Sequence, residues 1–471
     1  MTLIIILLLV SGYLLIATGH LTGVNKAAIA MFIGTVGWVL YICWGADFVM
    51  SQHPHEYVEY LSGAAPSSMA VKNYIYGNIF LHYVGRAASI VMFLLATMSI
   101  VEILNNNGCF DFIVEWIRTR NSKRLLWTIT FATFLLSANL DNLTTATTML
   151  VIMHSIVKNC TQRMLIGSAI VLAANCGGCF TVIGDPIGLL LWGDGAVTAT
   201  NFSKHLAVPA LVAWVVPTIL INRQLPDRLG LEWTAPPYRG DDTNLNRWQR
   251  IIMLFVGIGG LWFIPTFHNL TRLSPFLGAL CVLSVLWVVN EAFNRKLMAS
   301  DQMSQRRIPL SIQYGVIQQI LFVMGIMLAM GVMTEIGVFG HVSAWLDHQV
   351  HNIWVVGLVS GLLSSLIDTF TIAITDISLY SPIDGEQLGL WADSAYMAGF
   401  ATNGFFWKVV AYSTAVGGCL LCVGSTSGLA LMKMEHMRLG WYLRMLTPKV
   451  AAGFLAGMLV LYCEYFLYHT L

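Results

Sequence analysis

The chain has 471 residues, of which 57% are hydrophobic and only 10% are charged, and its formal net charge is +1. Soluble domains carry about 25% charged residues, so this composition excludes an ordinary soluble domain and indicates a membrane protein. The near-zero net charge provides no overall field that would attract nucleic acid.

Twelve apolar segments are candidates for membrane spans, because a helix needs about 20 mostly apolar residues to cross a bilayer. In chain order they are 2–19, 26–46, 84–104, 124–158, 163–192, 205–222, 250–268, 273–291, 312–339, 353–380, 406–433 and 448–470. The first lacks a basic leading region and an obvious small-residue cleavage site, so we expect a retained span and not a signal peptide. The segments predict an all-α membrane protein with about 11–12 transmembrane segments.

Four of these segments are too long, or too polar in the middle, for one plain helix. They are 124–158, 163–192, 353–380 and 406–433. The runs 139–145 and 184–188 contain Asn, Asp, Gly and Pro, and Gly and Pro in particular do not sustain a helix. We predict discontinuous or re-entrant helices there, since freed backbone groups at membrane depth are tolerated only where they line a cavity or a bound ion.

Two blocks of sequence occur twice, in the same order. Residues 137–148 align without gaps on 364–375, with five of twelve positions identical. Residues 177–191 align on 417–431, with seven of fifteen positions identical. Acidic residues and glycines inside apolar segments are costly, so their duplication indicates a duplicated site.

The charges of the loops indicate that the two copies are inverted. The loop before the first block is basic in the first half (105–124) and lacks Lys and Arg in the second (340–352). The loop after the second block reverses this, since 193–203 lacks Lys and Arg and 432–449 carries four of them. Basic loops face the cytoplasm, so equivalent loops lie on opposite sides. Among the other loops, we expect 223–250 and 292–311 inside and the acidic 47–73 outside.

These observations divide the chain into four predicted parts. They are scaffold spans and an external loop (1–83), inverted repeat 1 (84–222), cytoplasmic loops with a scaffold hairpin (223–311), and inverted repeat 2 (312–471). Inverted repeats of this kind place the transported species near the bilayer midplane, between the two halves.

Asp141 and its repeat counterpart Asp368 are the main candidates for ion binding. Oxygen-bearing residues surround the two acids and their helix breaks: Asn139, Asn142, Thr144, Thr145, Ser364, Thr369, Ser425 and Ser427. A hard cation such as sodium prefers carboxylate, amide, hydroxyl and freed carbonyl oxygens. Hydroxyls in membrane helices also bond to their own backbone, which accounts for one or two of these residues but not for Asp141.

Asp185 follows a helix break and precedes Pro186, so it is expected to cap the next helix while still offering lone pairs to an ion. Asn175, ten residues earlier, is a further candidate. Glu102 and Glu335 end apolar spans, and they are either second-tier site residues or interfacial acids that point to water.

The sign of the buried charge favours a cation as the transported species. Asp141, Asp185 and Asp368 lie deep in predicted spans, whereas no Lys or Arg lies deep in a repeated block. An anion carrier would ordinarily place a cation or several helix N-termini at its substrate. A buried carboxylate holds either a proton or a metal ion, so competition for it produces exchange. No resident cofactor is expected. The two CxxC pairs, 176–179 and 419–422, are either a metal or redox site or small packed residues.

The chain resembles the NhaD-type sodium/proton antiporters of the ion transporter superfamily. The similarity is carried by residues 136–145, by Asn175-Cys-Gly-Gly with Ile183-Gly-Asp, and by 417–418, 424–428 and Met434-Glu435. It implies a bacterial inner-membrane location, a homodimer, and monovalent cations and protons as transported ions. It also implies ion ligands at Asp141, Asn142, Thr144, Asn175, Asp185, Asp368 and Ser425.

The chain departs from the family pattern at two places. Pro186, Ile187 and Gly188 stand where the family usually has hydroxyl residues, and Thr369 stands where it usually has Asn. Both changes remove possible ligands, so ion preference and coupling ratio stay open. Two alternatives also stay open: a sodium-coupled symporter of a dicarboxylate or other anion, and an uncoupled channel or scaffold subunit.

Overall fold

A computed structural model describes residues 2–63, 65–110, 112, 117, 119, 121–227, 245–293, 310–383 and 394–470. Within these residues the chain is helical and contains no β-strand, and an isolated bridge pairs Ile383 with Ala401. The prediction of an all-α membrane protein is confirmed. Of the predicted cytoplasmic loops, Arg118, Arg120 and most of 223–250 and 292–311 lie outside the described residues.

The first half of the chain forms helices that we number in chain order. They are α1 (Thr2–Ala17), α2 (Gly19–Thr22), α3 (Lys26–Cys43), α4 (Gly45–Gln52), α5 (Pro54–Leu61), α6 (Ser68–Tyr74), α7 (Leu81–Asn106), α8 (Ser122–Ser137), α9 (Asn142–Ile156), α10 (Cys160–Cys179), α11 (Pro186–Gly193) and α12 (Ala199–Asn222). A π-helical stretch, Ile75–Phe80, joins α6 to α7.

The second half continues in the same way. Its helices are α13 (Arg247–Leu254), α14 (Gly260–Thr271), α15 (Pro275–Phe293), α16 (Leu310–Glu335), α17 (Val338–Gln349), α18 (Ile353–Leu366), α19 (Thr369–Leu379), α20 (Ser394–Met397), α21 (Phe405–Gly417), α22 (Thr426–Met434), α23 (Leu439–Met445) and α24 (Thr447–Thr470). A second π-helical stretch, Phe255–Gly259, joins α13 to α14, and a 3₁₀ turn, Ala398–Phe400, follows α20.

Seven helical stretches of the described chain are long and apolar enough to cross a bilayer. They are Lys26–Cys43, Ser68–Asn106, Ala199–Asn222, Arg247–Thr271, Pro275–Phe293, Ile317–Glu335 and Thr447–Leu467. The four segments that hold the repeated blocks are each divided into two shorter helices, as the sequence predicts: α8 and α9, α10 and α11, α18 and α19, α21 and α22.

Polar residues restart the helices after these breaks. Asp141, Asp185 and Ser425 are the N-caps of α9, α11 and α22, and each accepts a backbone N–H from the first turn of its helix. Such caps satisfy donors that have no partner within the helix. Pro186 is the first residue of α11, where its missing N–H removes nothing from the helix. The polar residues, Gly and Pro of each break therefore interrupt one helix, and the capping residue then begins the next.

The described chain divides into two compact units. The first comprises Met1–Met92, Gln313–Asn352 and Ile374–Ser381. In it α3 and α16 pack closely, because a Cβ on Gly34 would lie 2.6 Å from the carbonyl oxygen of Gly325. The indole of Trp38 donates to the carbonyl of Leu328 at 3.0 Å and fixes the register of this pair.

The second unit comprises Phe93–Ile312, Ile353–Ala373 and Pro382–Leu471, and it contains all four helix breaks. Its helices also approach closely where glycine permits. A Cβ on Gly457 of α24 would lie 2.7 Å from the carbonyl oxygen of Pro209 in α12. The predicted ion-binding residues of the breaks are therefore held in one packed body.

The predicted external loop 47–73 is largely helical. It contains most of α4, all of α5 and most of α6, and Ser67 caps α6 by accepting the N–H of Ala70. Ser62 and Gly63 adopt positive φ between α5 and α6. The acidic residues of this segment therefore lie on short amphipathic helices and not on an extended loop.

Candidate ion-binding site

Asp141 caps α9 and is 3% exposed. Its Oδ2 accepts the backbone N–H groups of Leu143 and Thr144, both at 3.1 Å, and the Thr144 hydroxyl at 3.3 Å. These three donors and the positive end of the helix stabilise a negative carboxylate. The predicted ligand Thr144 is therefore a direct partner of the acid.

Asp368 reproduces this arrangement in the second half, and it is 1% exposed. Its Oδ2 accepts the backbone N–H groups of Phe370 at 3.1 Å and Thr371 at 3.3 Å, and the Thr371 hydroxyl at 3.4 Å. Thr371 occupies the same position relative to Asp368 as Thr144 does to Asp141. The aligned acids thus have the same local hydrogen bonds, which the sequence alignment alone did not guarantee.

Two aligned serines show the same correspondence. Ser137 donates to the carbonyl of Ala174 at 2.6 Å, and Ser364 donates to the carbonyl of Thr414 at 2.8 Å. The first bond joins the end of α8 to α10, and the second joins the last turn of α18 to α21. The predicted ligand Ser364 therefore uses its hydroxyl proton to join two helices, and its role as an ion ligand stays a prediction.

Aligned glycines allow the same close approach in both halves. A Cβ on Gly184 would lie 2.7 Å from the carbonyl oxygen of Ser137. A Cβ on Gly424 would overlap the carbonyl oxygen of Ser364. Glycine is needed at both positions because the backbone before α11 lies directly against the end of α8, and the backbone before α22 lies directly against the last turn of α18.

Asp185 is 6% exposed and bridges two partners. Its Oδ1 accepts the N–H of Ile187 at 3.0 Å as the cap of α11, and its Oδ2 accepts Nδ2 of Asn142 at 2.9 Å. Ser425 takes the corresponding position in the second half and caps α22 through the N–H of Gly428 at 3.5 Å. Both half-sites therefore begin a helix with a side-chain cap, but Asp185 accepts the N–H two residues on and Ser425 accepts the N–H three residues on. The two caps also differ by one charge.

Asn175 joins the two halves of the site. Its Nδ2 has three acceptors for its two protons: the carbonyl of Val171 at 2.9 Å, Oγ of Ser427 at 2.9 Å and Oγ of Ser425 at 3.1 Å. Its Oδ1 accepts the Ser425 hydroxyl at 3.2 Å. Nδ2 of Asn142 also lies 3.4 Å from Oδ1 of Asn175. A continuous buried network therefore runs from Asp185 through two amides to the serines of α22.

The three predicted acids are linked through Asp185. Asp141 and Asp185 line one narrow crevice, and the charges of Asp141 and Asp368 both act on the Asp185 carboxylate. The crevice is lined by Phe93, Leu94, Thr97, Asp141, Ile183, Gly184, Asp185, Pro186 and Leu189. No Lys or Arg is among these lining residues, within the ranges that the structure describes. A proton or a cation would offset the repulsion between these buried like charges.

Comparison with known proteins identifies the family. A sequence model of the family CitMHS, described as "Citrate transporter", matches residues 1–384. The chain belongs to the CitMHS family. It is therefore a multi-pass membrane transporter and not an enzyme.

Curated relatives of this CitMHS protein have antiporter names. It is 30% identical over 386 residues to "Sodium/proton antiporter 1" of Arabidopsis thaliana, a match that covers 80% of the chain and 62% of the relative's length. It is 29% identical to "Sodium/proton antiporter 2" of the same plant, covering 80% and 86%. It is 26% identical to "Na(+)/H(+) antiporter NhaD" of Vibrio cholerae, covering 80% and 79%. The resemblance predicted from the sequence is confirmed.

Two predicted hydroxyl residues of this CitMHS protein have differing environments. Thr145 is buried, and its Oγ1 has no hydrogen-bond partner among the described residues, so it is free to contact an ion. Thr369, which stands where the family usually has Asn, is half-buried and lies against Gly418. It aligns with Asn142, and Gly418 aligns with Gly178. The second half therefore lacks the amide bridge of the first.

Three second-tier residues do not join the network. Asn139 donates back to the carbonyl of Leu135 at 2.9 Å, within its own helix end. Glu102 is half-buried near the end of α7 and makes no hydrogen bond to these site residues. Glu335 belongs to the first unit, where Tyr83 and His53 contact it at 2.8 Å.

Glu335 is part of a cluster around His53. Both ring nitrogens of His53 face carboxylates, since Nε2 lies 2.8 Å from Glu335 and Nδ1 lies 3.0 Å from Glu56. Burial lowers the pKa of His53, but hydrogen bonds and charge from Glu335 and Glu56 outweigh it and raise the pKa above its usual value. The cluster is therefore an ion-pair network of the first unit.

Glu435, part of the resemblance, forms a different cluster at the end of α22. Its carboxylate is fully buried and pairs with Arg163 and with His154, each at 2.7 Å. Lys408, also buried, donates to the carbonyl of Asn403 at 2.8 Å. The pairs of Glu435 therefore join different helices, whereas Lys408 bonds to the segment just before its own helix. The cysteines of the two CxxC pairs are buried, and Cys422 adopts a positive φ in the break before α22.

Sequence reasoning missed Thr97 as a site residue. It lies in the apolar helix α7, is 3% exposed, and lines the crevice together with both acids. A single threonine within an apolar helix gives no pattern that would single it out. Its position at the site comes from tertiary packing alone.

Proposed function

We propose that this protein is a secondary transporter that exchanges Na⁺ or Li⁺ for protons through competition at buried carboxylates. The observation that carries the proposal is that Asp141 and Asp185 share one buried crevice whose described lining residues include no Lys or Arg. The names of the Arabidopsis and Vibrio relatives support the same exchange.

Helix N-termini are the feature of this site that could instead favour an anion such as citrate. The starts of α9, α11 and α19 all lie at the breaks, and each contributes a partial positive charge. Each of these starts is already covered by its own carboxylate: Asp141, Asp185 and Asp368. The acids more than offset the half-charge of each helix end, so the region stays negative and favours a cation.

Competition at one carboxylate is sufficient to couple the two ions. A bound cation stabilises the ionised acid, while burial in a low-dielectric site favours the protonated acid. One site therefore releases a proton when it binds Na⁺ and releases Na⁺ when it binds a proton. Unequal stoichiometry would make the exchange voltage-driven, since moving one charge across 100 mV is worth about 2.3 kcal/mol.

We assign inverted repeats to 84–222 and 312–471, with scaffold in 1–83 and 223–311. The matched hydrogen bonds of Asp141 and Asp368, and of Ser137 and Ser364, support the repeat. The opposite charge of equivalent loops supports the inversion. A bacterial inner-membrane location and a homodimer complete the proposal, on the basis of the resemblance to NhaD-type proteins.

The test is proton movement in inverted membrane vesicles from a host that lacks its own sodium/proton antiporters. A pH-sensitive dye reports dequenching as Na⁺, Li⁺, K⁺ and Ca²⁺ are titrated into energised vesicles. We expect Na⁺ or Li⁺ to dequench with the wild type, and Asp141→Asn to abolish the response while the protein still inserts.

Asp47→Asn is the matched control, because Asp47 is an exposed acid of the first unit. It should retain the wild-type response. Unchanged exchange by Asp141→Asn would remove the central assignment. Passive cation conductance without coupling to a pH gradient would instead support an uncoupled channel.

A sodium-coupled citrate or dicarboxylate symporter is the second candidate. The description of the family as "Citrate transporter" and the neutral cap of α22, Ser425, favour it. Uptake of labelled citrate or succinate, with and without Na⁺, separates the two functions. Sodium-dependent accumulation without cation-induced proton movement would establish the symporter.

A further inference from the structure

Thr97 supplies the one side-chain hydroxyl of the crevice that holds Asp141 and Asp185, within the described residues. The residue is buried, with 3% of its surface exposed. The neighbouring lining residues from α7, Phe93 and Leu94, are apolar. Any polar contact that α7 offers at this place therefore comes from Thr97.

The orientation of this hydroxyl suits a cation. Oγ1 of Thr97 lies 3.1 Å from the carbonyl oxygens of both Phe93 and Leu94, so its single proton is donated to its own helix. A hydroxyl that has used its proton offers only lone pairs to a third group. It can therefore accept a hydrogen bond or coordinate a cation, but it cannot donate to an anion.

The first turn of α11 supplies no ligand of this kind. Pro186, Ile187 and Gly188 follow Asp185 and contribute no side-chain oxygen. A hard cation requires several oxygen ligands, and two carboxylates alone do not surround it. A hydroxyl from α7 on the same crevice compensates for the oxygens that α11 lacks.

We propose that Oγ1 of Thr97 is a ligand of the transported cation on the crevice that Asp141 and Asp185 line. This inference rests on the proposed exchange function. Its role is to contact the ion and not to carry the proton. Removing it should weaken cation binding without removing exchange.

The experiment compares Thr97→Val, Thr97→Ser and Thr130→Val in the vesicle assay. Valine keeps the shape of threonine and removes the oxygen, while serine keeps the oxygen. Thr130 is the matched control: it is buried in α8, donates to the carbonyl of Leu126 at 2.8 Å, and does not line the crevice. Half-saturating Na⁺ and Li⁺ concentrations and maximal rates are measured at one pH.

For Thr97→Val we expect the half-saturating concentration to rise roughly tenfold for the preferred ion, with the maximal rate largely kept. Thr97→Ser should stay near the wild type, and Thr130→Val should match it. Half-saturation within twofold of the wild type for both ions in Thr97→Val would overturn the inference.

A binding measurement separates this inference from the function on which it rests. The increase in unfolding temperature of the purified protein is titrated with Na⁺ and with Li⁺. Thr97→Val should need roughly tenfold more of the preferred ion than the wild type, whether or not exchange is observed. If the wild type shows no exchange, the transport proposal fails, and this titration alone decides the role of Thr97. If Thr97→Val does not insert, Thr97→Ala, which also lacks the oxygen, replaces it in both assays.

Discussion

Gly184→Ala tests whether the helix break must lie directly against the end of α8. A Cβ at this position would lie 2.7 Å from the carbonyl oxygen of Ser137, 2.9 Å from Cα of Gly178 and 2.9 Å from Oγ1 of Thr181. Two of these neighbours are backbone atoms of packed helices, so they cannot move without shifting a helix. Overpacking of this kind costs about 1–3 kcal/mol.

Gly193→Ala provides the matched control. Gly193 ends the same helix that Asp185 caps, and a Cβ there would meet nothing within 4 Å. Alanine is favoured over glycine in helices by about 0.5–1 kcal/mol, so this variant should lose no stability. The two substitutions are chemically identical and differ only in the space available.

The assay is the unfolding temperature of the purified protein together with cation-dependent proton movement in vesicles. Gly184→Ala should unfold at a lower temperature than both the wild type and Gly193→Ala. Its exchange should also be reduced, because the displaced break carries Asp185. Equal unfolding temperatures and equal exchange for the two variants would refute the close approach as a requirement of the site.

Asp368→Asn should raise the half-saturating Na⁺ concentration, because asparagine keeps the cap of α19 but removes a charge that acts on Asp185; wild-type kinetics in vesicles would argue against a paired site. Asn175→Ala should lower the stability of the purified protein by about 3 kcal/mol, roughly one for each side-chain hydrogen bond to three partners. Stability equal to the wild type in a thermal melt would contradict that network. For His53, the raised pKa means that its ion pairs are complete below a pH of about 6.5 and are lost as the pH rises through the folded-state pKa. The unfolding temperature should therefore fall between pH 6 and pH 9 more in the wild type than in His53→Gln, and parallel pH profiles would exclude this role.

Much of the site follows from local rules that are readable in the sequence. An acid before a hydroxyl-rich turn predicts an N-cap, and both Asp141 and Asp368 form the same cap. Asp185 before Pro186 predicts another, which the structure confirms. Because capping depends on a few adjacent residues, the duplication of the sequence led to a duplication of geometry.

Other roles depend on tertiary packing and were not predictable. Asn139 lies beside Asp141 in the sequence, but its amide bonds to the carbonyl four residues earlier. Glu335 ends an apolar span as Glu102 does, but it belongs to a tyrosine and histidine cluster in the first unit. Thr97 gave no signal, because a threonine bonded to its own helix looks the same in sequence whether or not a crevice lies beside it.

The amide of Asn175 limits how the site can open. It is hydrogen-bonded at once to Asn142 on α9 and to the two serines that begin α22. Drawing α10 away from α22 would leave these groups without partners in a dry interior, which costs about 1–3 kcal/mol for each orphaned atom. A displacement that carries both helices together breaks none of these bonds. We therefore expect α10 and α22 to move as one body if the site opens, with the bonds of Asn175 kept.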